Sequence, residues 1–219
     1  MTPPGIVQRA CAEGLHLIAV CDHNSAENVR ATQRAAQGTP LAVIGGIEVC
    51  AREEAHVLGL FADLSPLLRA QKAVYAGLKG RNRPGTFGEQ QVMDERGQLL
   101  RRNARLLIGA TDLSLAEAVA MIHRLGGLAI AAHVDRPSFS VISQLGFIPA
   151  NLELDGAEVC SDRQAAVPPG LPVIRSSDAH RLDEIGSRRT RFLVEQPTAQ
   201  EVGMALRQVG GRRIESLSH

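Results

Sequence analysis

Five short apolar runs in this chain meet a histidine or a carboxylate at one end, and that pattern restricts the fold more than any other feature. Residues 17–21 run into Asp22-His23-Asn24, residues 41–47 into Glu48, and residues 128–132 into His133-Val134-Asp135-Arg136. His56 opens the run ending at Phe61, and residues 171–175 lead through Ser176-Ser177 into Asp178-Ala179-His180. Runs this short are strands, since a membrane span needs about 20 unbroken apolar residues. Between them lie stretches with helical spacing. Thr2 caps a helix with Pro3 at its first position, and Gly14 stops it. Ser25 or Asn24 caps a second that fades at 37–40, and further helices are predicted over 64–79, 88–95, 138–145 and 198–209. Ser114 with Glu117 three residues on has the spacing of a capping box, opening a helix that ends at Gly126-Gly127. Strands are predicted at 15–21, at 41–44 and 47–50 on either side of Gly45-Gly46, at 55–61, 128–132, 152–159, 171–175 and 191–194. Residues 80–85 read as a loop, and 99–108 has no clear pattern. The β, α, β alternation predicts one α/β domain over 1–219 with a parallel sheet.

Composition narrows the function classes. The chain has 219 residues, 24 Lys+Arg against 23 Asp+Glu and a net charge of +1, so no chain-wide charge field draws it to a polyanion or an anionic membrane. Long nucleic acid is therefore not favoured as a partner, and aromatic residues at 3% offer few stacking platforms. Residues 1–5 begin no basic and then apolar secretory signal. Cys11, Cys21, Cys50 and Cys160 are scattered without a C-x-x-C pair, which suits free core thiols and a cytoplasmic location.

Strand ends are where α/β folds collect ligands, because adjacent carboxyl ends converge on one face. Four of the seven histidines stand there beside carboxylates. Neutral imidazoles and carboxylates together suit zinc, manganese or iron. Any one Asp-His pair could equally be a helix-cap hydrogen bond; the five together point to a metal site. His16, inside a strand, reads as a structural imidazole, His123 as a partner of its helix dipole, and His219 as terminal. The Arg101-Arg102 and Arg188-Arg189 pairs read as solvated faces.

The ordered series Asp22-His23-Asn24, Gly46-Ile47-Glu48, His56-Val57-Leu58-Gly59, Ala132-His133-Val134-Asp135-Arg136-Pro137 and Ser177-Asp178-Ala179-His180 resembles the PHP family, named for polymerase and histidinol phosphatase domains. The resemblance implies a distorted seven-stranded β/α barrel with up to three divalent metal ions at its carboxyl end, hydrolysing phosphate esters. It implies that Glu48 bridges two metals and that His56 and His133 complete one of those sites. Asp178 would then ligate the second metal, and His23 and His180 the third. Asp22 reads as a partner that fixes an imidazole tautomer, with direct ligation left open. Arg136 reads as a phosphate clamp or as a surface ion pair.

The family pattern begins with His-x-His on a first strand, and this chain has none before Thr2-Pro3-Pro4-Gly5. The second metal is thus short of ligands as the sequence stands, and a barrel without that strand would leave an unpaired edge. Both points predict a coding start upstream of Met1. The expected function is hydrolysis of a small phosphomonoester or nucleotide. Its rivals are a noncatalytic metal-binding or regulatory module and a related metal-dependent hydrolase of C–N bonds. Substrate, metal identity and oligomeric state are not readable from the residues.

Overall fold

The chain opens with α1 (Pro3–Ala12), whose Thr2 hydroxyl accepts the Gly5 N–H as the N-cap should. The computed structural model describes residues 1–161, 163 and 165–218, so the expectation for His219 lies outside the described residues. β1 (Leu17–Val20) pairs in parallel with β2 (Ala42–Cys50), with α2 (Val29–Ala35) as the crossover. β3 (His56–Phe61) follows, then α3 (Leu64–Gly77), the short α4 (Pro84–Phe87), and the hairpin β4 (Gln91–Met93) and β5 (Leu99–Arg102). α5 (Leu115–Arg124) carries the capping box between Ser114 and Glu117. Beyond it come β6 (Leu128–Ala131), α6 (Val141–Leu145), β7 (Gly156–Val159) and β8 (Val173–Arg175). β9 (Arg189–Leu193), α7 (Ala199–Leu206) and β10 (Arg213–Ser218) complete the described chain.

The main sheet is six-stranded and curled, in the order β1-β2-β3-β6-β7-β8, with β9 and β10 forming a separate antiparallel ribbon. Its edge strands are β1 and β8, so a closed seven-stranded barrel is not what these residues form. The sheet is mixed rather than parallel, because β3 runs antiparallel to both β2 and β6. Residues 51–55 alone join β2 to β3, too few for a crossover, and a tight reversal is the only connection that fits.

Three local expectations also need correction. Gly45-Gly46 does not interrupt β2: added methyl groups would meet Leu67 Cδ2 at 2.9 Å and overlap Cys21 Sγ, so glycine serves close packing inside one continuous strand. No helix forms over 88–95. Asp94 Oδ1 accepts the N–H groups of Arg96 and Gln98, and Gly97 takes φ 78°, which turns the chain into the β4–β5 hairpin. Neither Ser25 nor Asn24 caps α2; Asn28 stands at its N-cap, without a side-chain cap bond.

The sheet has two apolar faces. On the convex face Ile47, Val49, Val57, Phe61, Ala129 and Ala131 pack with Leu67 and Val74 of α3 and Val119 and Ile122 of α5. The concave face presents Ile44, Leu58, Leu60, Ile130, Ala132 and Ile174, and Val202 and Leu206 of α7 plug it from below. That plug leaves the other end of the concave face to polar side chains. Among the described residues no helix is long and apolar enough to cross a membrane.

Candidate metal centre

Glu48 lies near the end of β2 on the concave face, opposite Leu58 and two register steps from the Cys50–His56 pair, so alternation brings Glu48 and His56 to the same side. His23 follows β1 and bridges to Glu48 in parallel. His133 is two residues beyond the end of β6. The Glu48 carboxylate, buried with 4% exposure, collects all three imidazoles. His23 Nδ1 is 2.7 Å from its Oε2, while His56 Nδ1 and His133 Nε2 are 3.0 and 3.1 Å from its Oε1. The last two nitrogens are 3.2 Å apart.

That triangle of one oxygen and two nitrogens is short of protons to point along each edge, whereas electron pairs converging on a cation would satisfy all three. Its edges approach the ~3.4 Å expected between ligands of a tetrahedral ion at ~2.1 Å. His133 Nδ1 is buried and has no hydrogen-bond partner among the described residues. His23, Glu48 and His56 offer donor atoms within 4.8 Å of one another. Donor chemistry and spacing thus fit a divalent ion.

Electrostatics bind the cluster together without one. Burial alone would raise the Glu48 carboxyl, but hydrogen bonds from His133, His23 and His56 outweigh it and hold the group well below the usual range. Burial pulls His23 and His133 down, yet the bond to Glu48 and its charge leave both imidazoles raised. Asp178 is raised by burial and by the charge of Glu48, against the opposing guanidinium of Arg136. Cys21 lies among Glu158, Glu48, Asp22 and Asp178, and burial together with their charge keeps its thiol protonated. Burial likewise raises Cys50 to about 12.

Of the remaining sequence-derived candidates, Arg136 and His180 line a cavity of about 270 Å³ over the imidazoles, Asp22 lines a second cavity beside it, and Asp178 lines neither. Arg136 pairs with Asp178 Oδ2 at 2.6 Å, with about 39% of its side chain exposed. His180 stands at the rim, its ring 5.8 Å from that of His23, and its Nδ1 meets the Asp178 carbonyl at 2.9 Å. The Asp22 carboxylate accepts from the Asn28 amide at 3.2 Å and bonds no imidazole among the described residues; its carbonyl receives the Glu48 N–H at 3.2 Å.

Four further residues hold the site: Asn24 and Asp135 stood in the strand-end motifs without a predicted role in the site, and Glu158 and Phe139 went unread in the sequence. Glu158 on β7 is buried and accepts the His133 N–H at 3.0 Å, with the Ser176 hydroxyl on its other oxygen. Asp135 ties the loop after β6 to the end of β7 through the N–H groups of Cys160 and Ser161. Asn24 donates to the carbonyls of Leu107 and Gly109 and accepts the Cys50 N–H. Phe139 stacks on His56 at 5.2 Å and accepts its backbone N–H at 2.9 Å. Asn24, His133, Phe139 and Asp178 all hold positive φ, of 50°, 29°, 56° and 44°, and they make up most of the non-glycine cases among the described residues. Strained backbone gathered in this way marks a place where geometry is imposed by its surroundings.

Comparison with known proteins finds relatives of this fold. The model of the family described as PHP-associated matches residues 163–209. A 5'-3' exoribonuclease of Haemophilus influenzae is 30% identical over 82 residues, which are 34% of this chain and 30% of that protein. The lesion-specific endonuclease Q of Pyrococcus furiosus superposes with a TM-score of 0.71 at 20% identity, covering 99% of this chain and 54% of that one. A protein from Bifidobacterium adolescentis described as a metal-dependent phosphoesterase superposes with a TM-score of 0.57 at 16% identity, over 98% of this chain and 92% of its own. The chain thus spans about a third of the exoribonuclease and about half of the endonuclease. The chain is thus similar to the PHP-domain family, through the PHP-associated segment matched at 163–209 and a fold shared with these structures along its length.

Proposed function

We propose that the chain is a single-domain, metal-dependent hydrolase of phosphate esters, acting on a small phosphomonoester or a nucleotide. The observation that carries this reading is the convergence of three imidazoles on the buried Glu48 carboxylate beneath a cavity that also presents Arg136. His56, His133 and Glu48 would hold one divalent ion, zinc, manganese or iron, and His23, Asp178 and His180 would contribute to others, up to three. A divalent cation bound there acidifies water and withdraws charge from phosphoryl oxygens.

The protein's own groups supply the rest. Glu48, ionised because its carboxyl is held low, keeps the imidazoles turned toward one point. Glu158 fixes the His133 backbone, and Phe139 fixes that of His56. Arg136, steered by Asp178, offers its planar fork to two phosphoryl oxygens. Asp22 acts through its carbonyl, which anchors the Glu48 N–H. Release of phosphate from an aryl phosphate, stimulated by added zinc or manganese and lost in Glu48→Gln and His133→Ala, tests the reading. One bound ion per chain with no turnover would assign a noncatalytic module instead, and amine release in place of phosphate would assign C–N hydrolysis.

A second substrate class has one observation in its favour. Residues 79–105 hold seven basic side chains against three acidic ones, in a chain of net charge +1, and Arg81, Arg83 and Arg96 are exposed. This arm carries the β4–β5 hairpin, which borders a second cavity that shares His23 and Ile108 with the first. The endonuclease Q structures include one with a 27-mer duplex substrate. A phosphodiester or phosphorylated end of a polynucleotide would suit such an arm, and its binding would weaken steeply with salt.

A further inference from the structure

Phe139 combines features that core packing does not explain. Its ring lies over His56 at 5.2 Å with 25° between the planes, which covers one face. The residue nonetheless stays 42% exposed, and it lines the cavity above the imidazoles. Its backbone sits at φ 56°, a region a bulky side chain rarely adopts. The carbonyl bond from the His56 N–H and the Ser140 cap of α6 hold it there. Ile108, 46% exposed, lines the same cavity. Two large apolar side chains are therefore kept accessible at the mouth of a site whose other lining groups are polar: four imidazoles, Arg136 and Ser138.

We infer that Phe139 and Ile108 form a slot for a flat heteroaromatic ring, so that the ester cleaved here carries a nucleobase next to the phosphate held by Arg136. This rests on the phosphoesterase reading and names its substrate class. The charge division supports it: the guanidinium and the metal ligands take the anionic end, while the apolar pair takes a weakly hydrated flat group. Base–aromatic stacking tolerates any base, because each has a π face. A sugar phosphate would fill the anionic end and leave the slot empty. The base could come from a free mononucleotide or from the terminal nucleotide of a strand.

The test compares three phosphate esters on the full chain with manganese: adenosine 5'-monophosphate, ribose 5-phosphate and a 5'-phosphorylated trinucleotide. Steady-state kcat/KM is read for wild type, Phe139→Leu and Ile108→Ala. The expected result is a ratio of nucleotide to ribose 5-phosphate that falls about tenfold in Phe139→Leu, within the range of one base–aromatic stack, and falls less far in Ile108→Ala, which removes only aliphatic contact. Using the ratio cancels any disturbance of His56, and Ile108→Ala does not touch that ring. The better of the two nucleotide substrates identifies the source of the base. Equilibrium binding of adenosine 5'-monophosphate and ribose 5-phosphate, followed by calorimetry, separates the two failures. Turnover with ratios unchanged in both variants overturns the slot while leaving the phosphoesterase intact. Absent turnover with tighter binding of the nucleotide, lost in both variants, overturns the phosphoesterase and leaves the slot. Equal binding of the two ligands overturns the slot in either case.

Discussion

Replacing Asp135 by asparagine should loosen the loop that carries His133 and Arg136. The buried Asp135 carboxylate takes the Cys160 N–H at 3.0 Å on Oδ1, and the Ser161 N–H and hydroxyl at 2.5 and 2.6 Å on Oδ2. An asparagine of the same shape has one oxygen and one NH2, so whichever way it turns, a donor faces a donor. One charge-assisted bond is lost, about 1.5–3 kcal/mol, and a partly buried N–H is left unpaired, about 1–3 kcal/mol. Because Cys160 and Ser161 are only half-buried, water recovers part of this, and a net loss of about 3 kcal/mol is expected. Urea unfolding of the metal-free protein at pH 7 should show it as a lower midpoint with an unchanged slope. The pH dependence gives a second reading. Burial alone would raise the Asp135 carboxyl, but bonds from Ser161 and Cys160 hold it below the ordinary range. Its contribution is therefore complete above the unfolded value of about 3.9 and disappears as pH falls through the lower folded value. The stability gap between wild type and Asp135→Asn should begin to narrow below about pH 4 and close once the pH has passed the lower folded value. A difference under about 0.5 kcal/mol at pH 7, or one that persists undiminished in acid, would refute the role given to these bonds.

Other substitutions probe separate links. Gly46→Ala forces a methyl onto Cys21 Sγ and should cost about 1–3 kcal/mol; adding Cys21→Ala should recover at least half of that, and additive losses in the double mutant would contradict the packing. Ser114→Ala removes the N-cap of α5 and should lower stability by about 1 kcal/mol in the same urea assay, with no effect on metal affinity measured by titration. Glu48→Gln in the metal-free protein removes the charge that raises His23 and His133, so their imidazole titration midpoints, followed by NMR, should both move down; unmoved midpoints would mean that another carboxylate sets them.

The strand ends were legible because each ligand type interrupts an apolar run at its boundary. Glu48, His56 and His133 are adjacent in space for the reason that they are conspicuous in the chain: each is a polar residue where a buried strand meets the end of the concave face. Helix starts with chemically specific caps, Thr2 and Ser114, were legible for the same local reason. Strand direction was not. Alternating β and α segments suggest parallel pairing, and only the five-residue span between Cys50 and His56 betrays the reversal. Glycines misled in β2, since a pair that normally marks a turn here makes room for Cys21.

Glu158 shows where single-chain reading stops. Its neighbours Ala157 and Val159 are apolar, and strand alternation turns Glu158 to the concave face with Ile174 opposite. The same letters would describe an ordinary half-exposed strand with its carboxylate in water, and nothing local separates the two. What decides it is a bond to the His133 N–H, 25 residues earlier, together with the Ser176 hydroxyl from β8's far end. Phe139 is the same case in backbone form: no aromatic residue announces a positive φ, and here the angle is imposed by a bond from His56. Side chains with the chemistry to hold an ion can be read from residue type and position. Those that aim them are set by pairings between distant strands, so the second group becomes visible only once the sheet order is known.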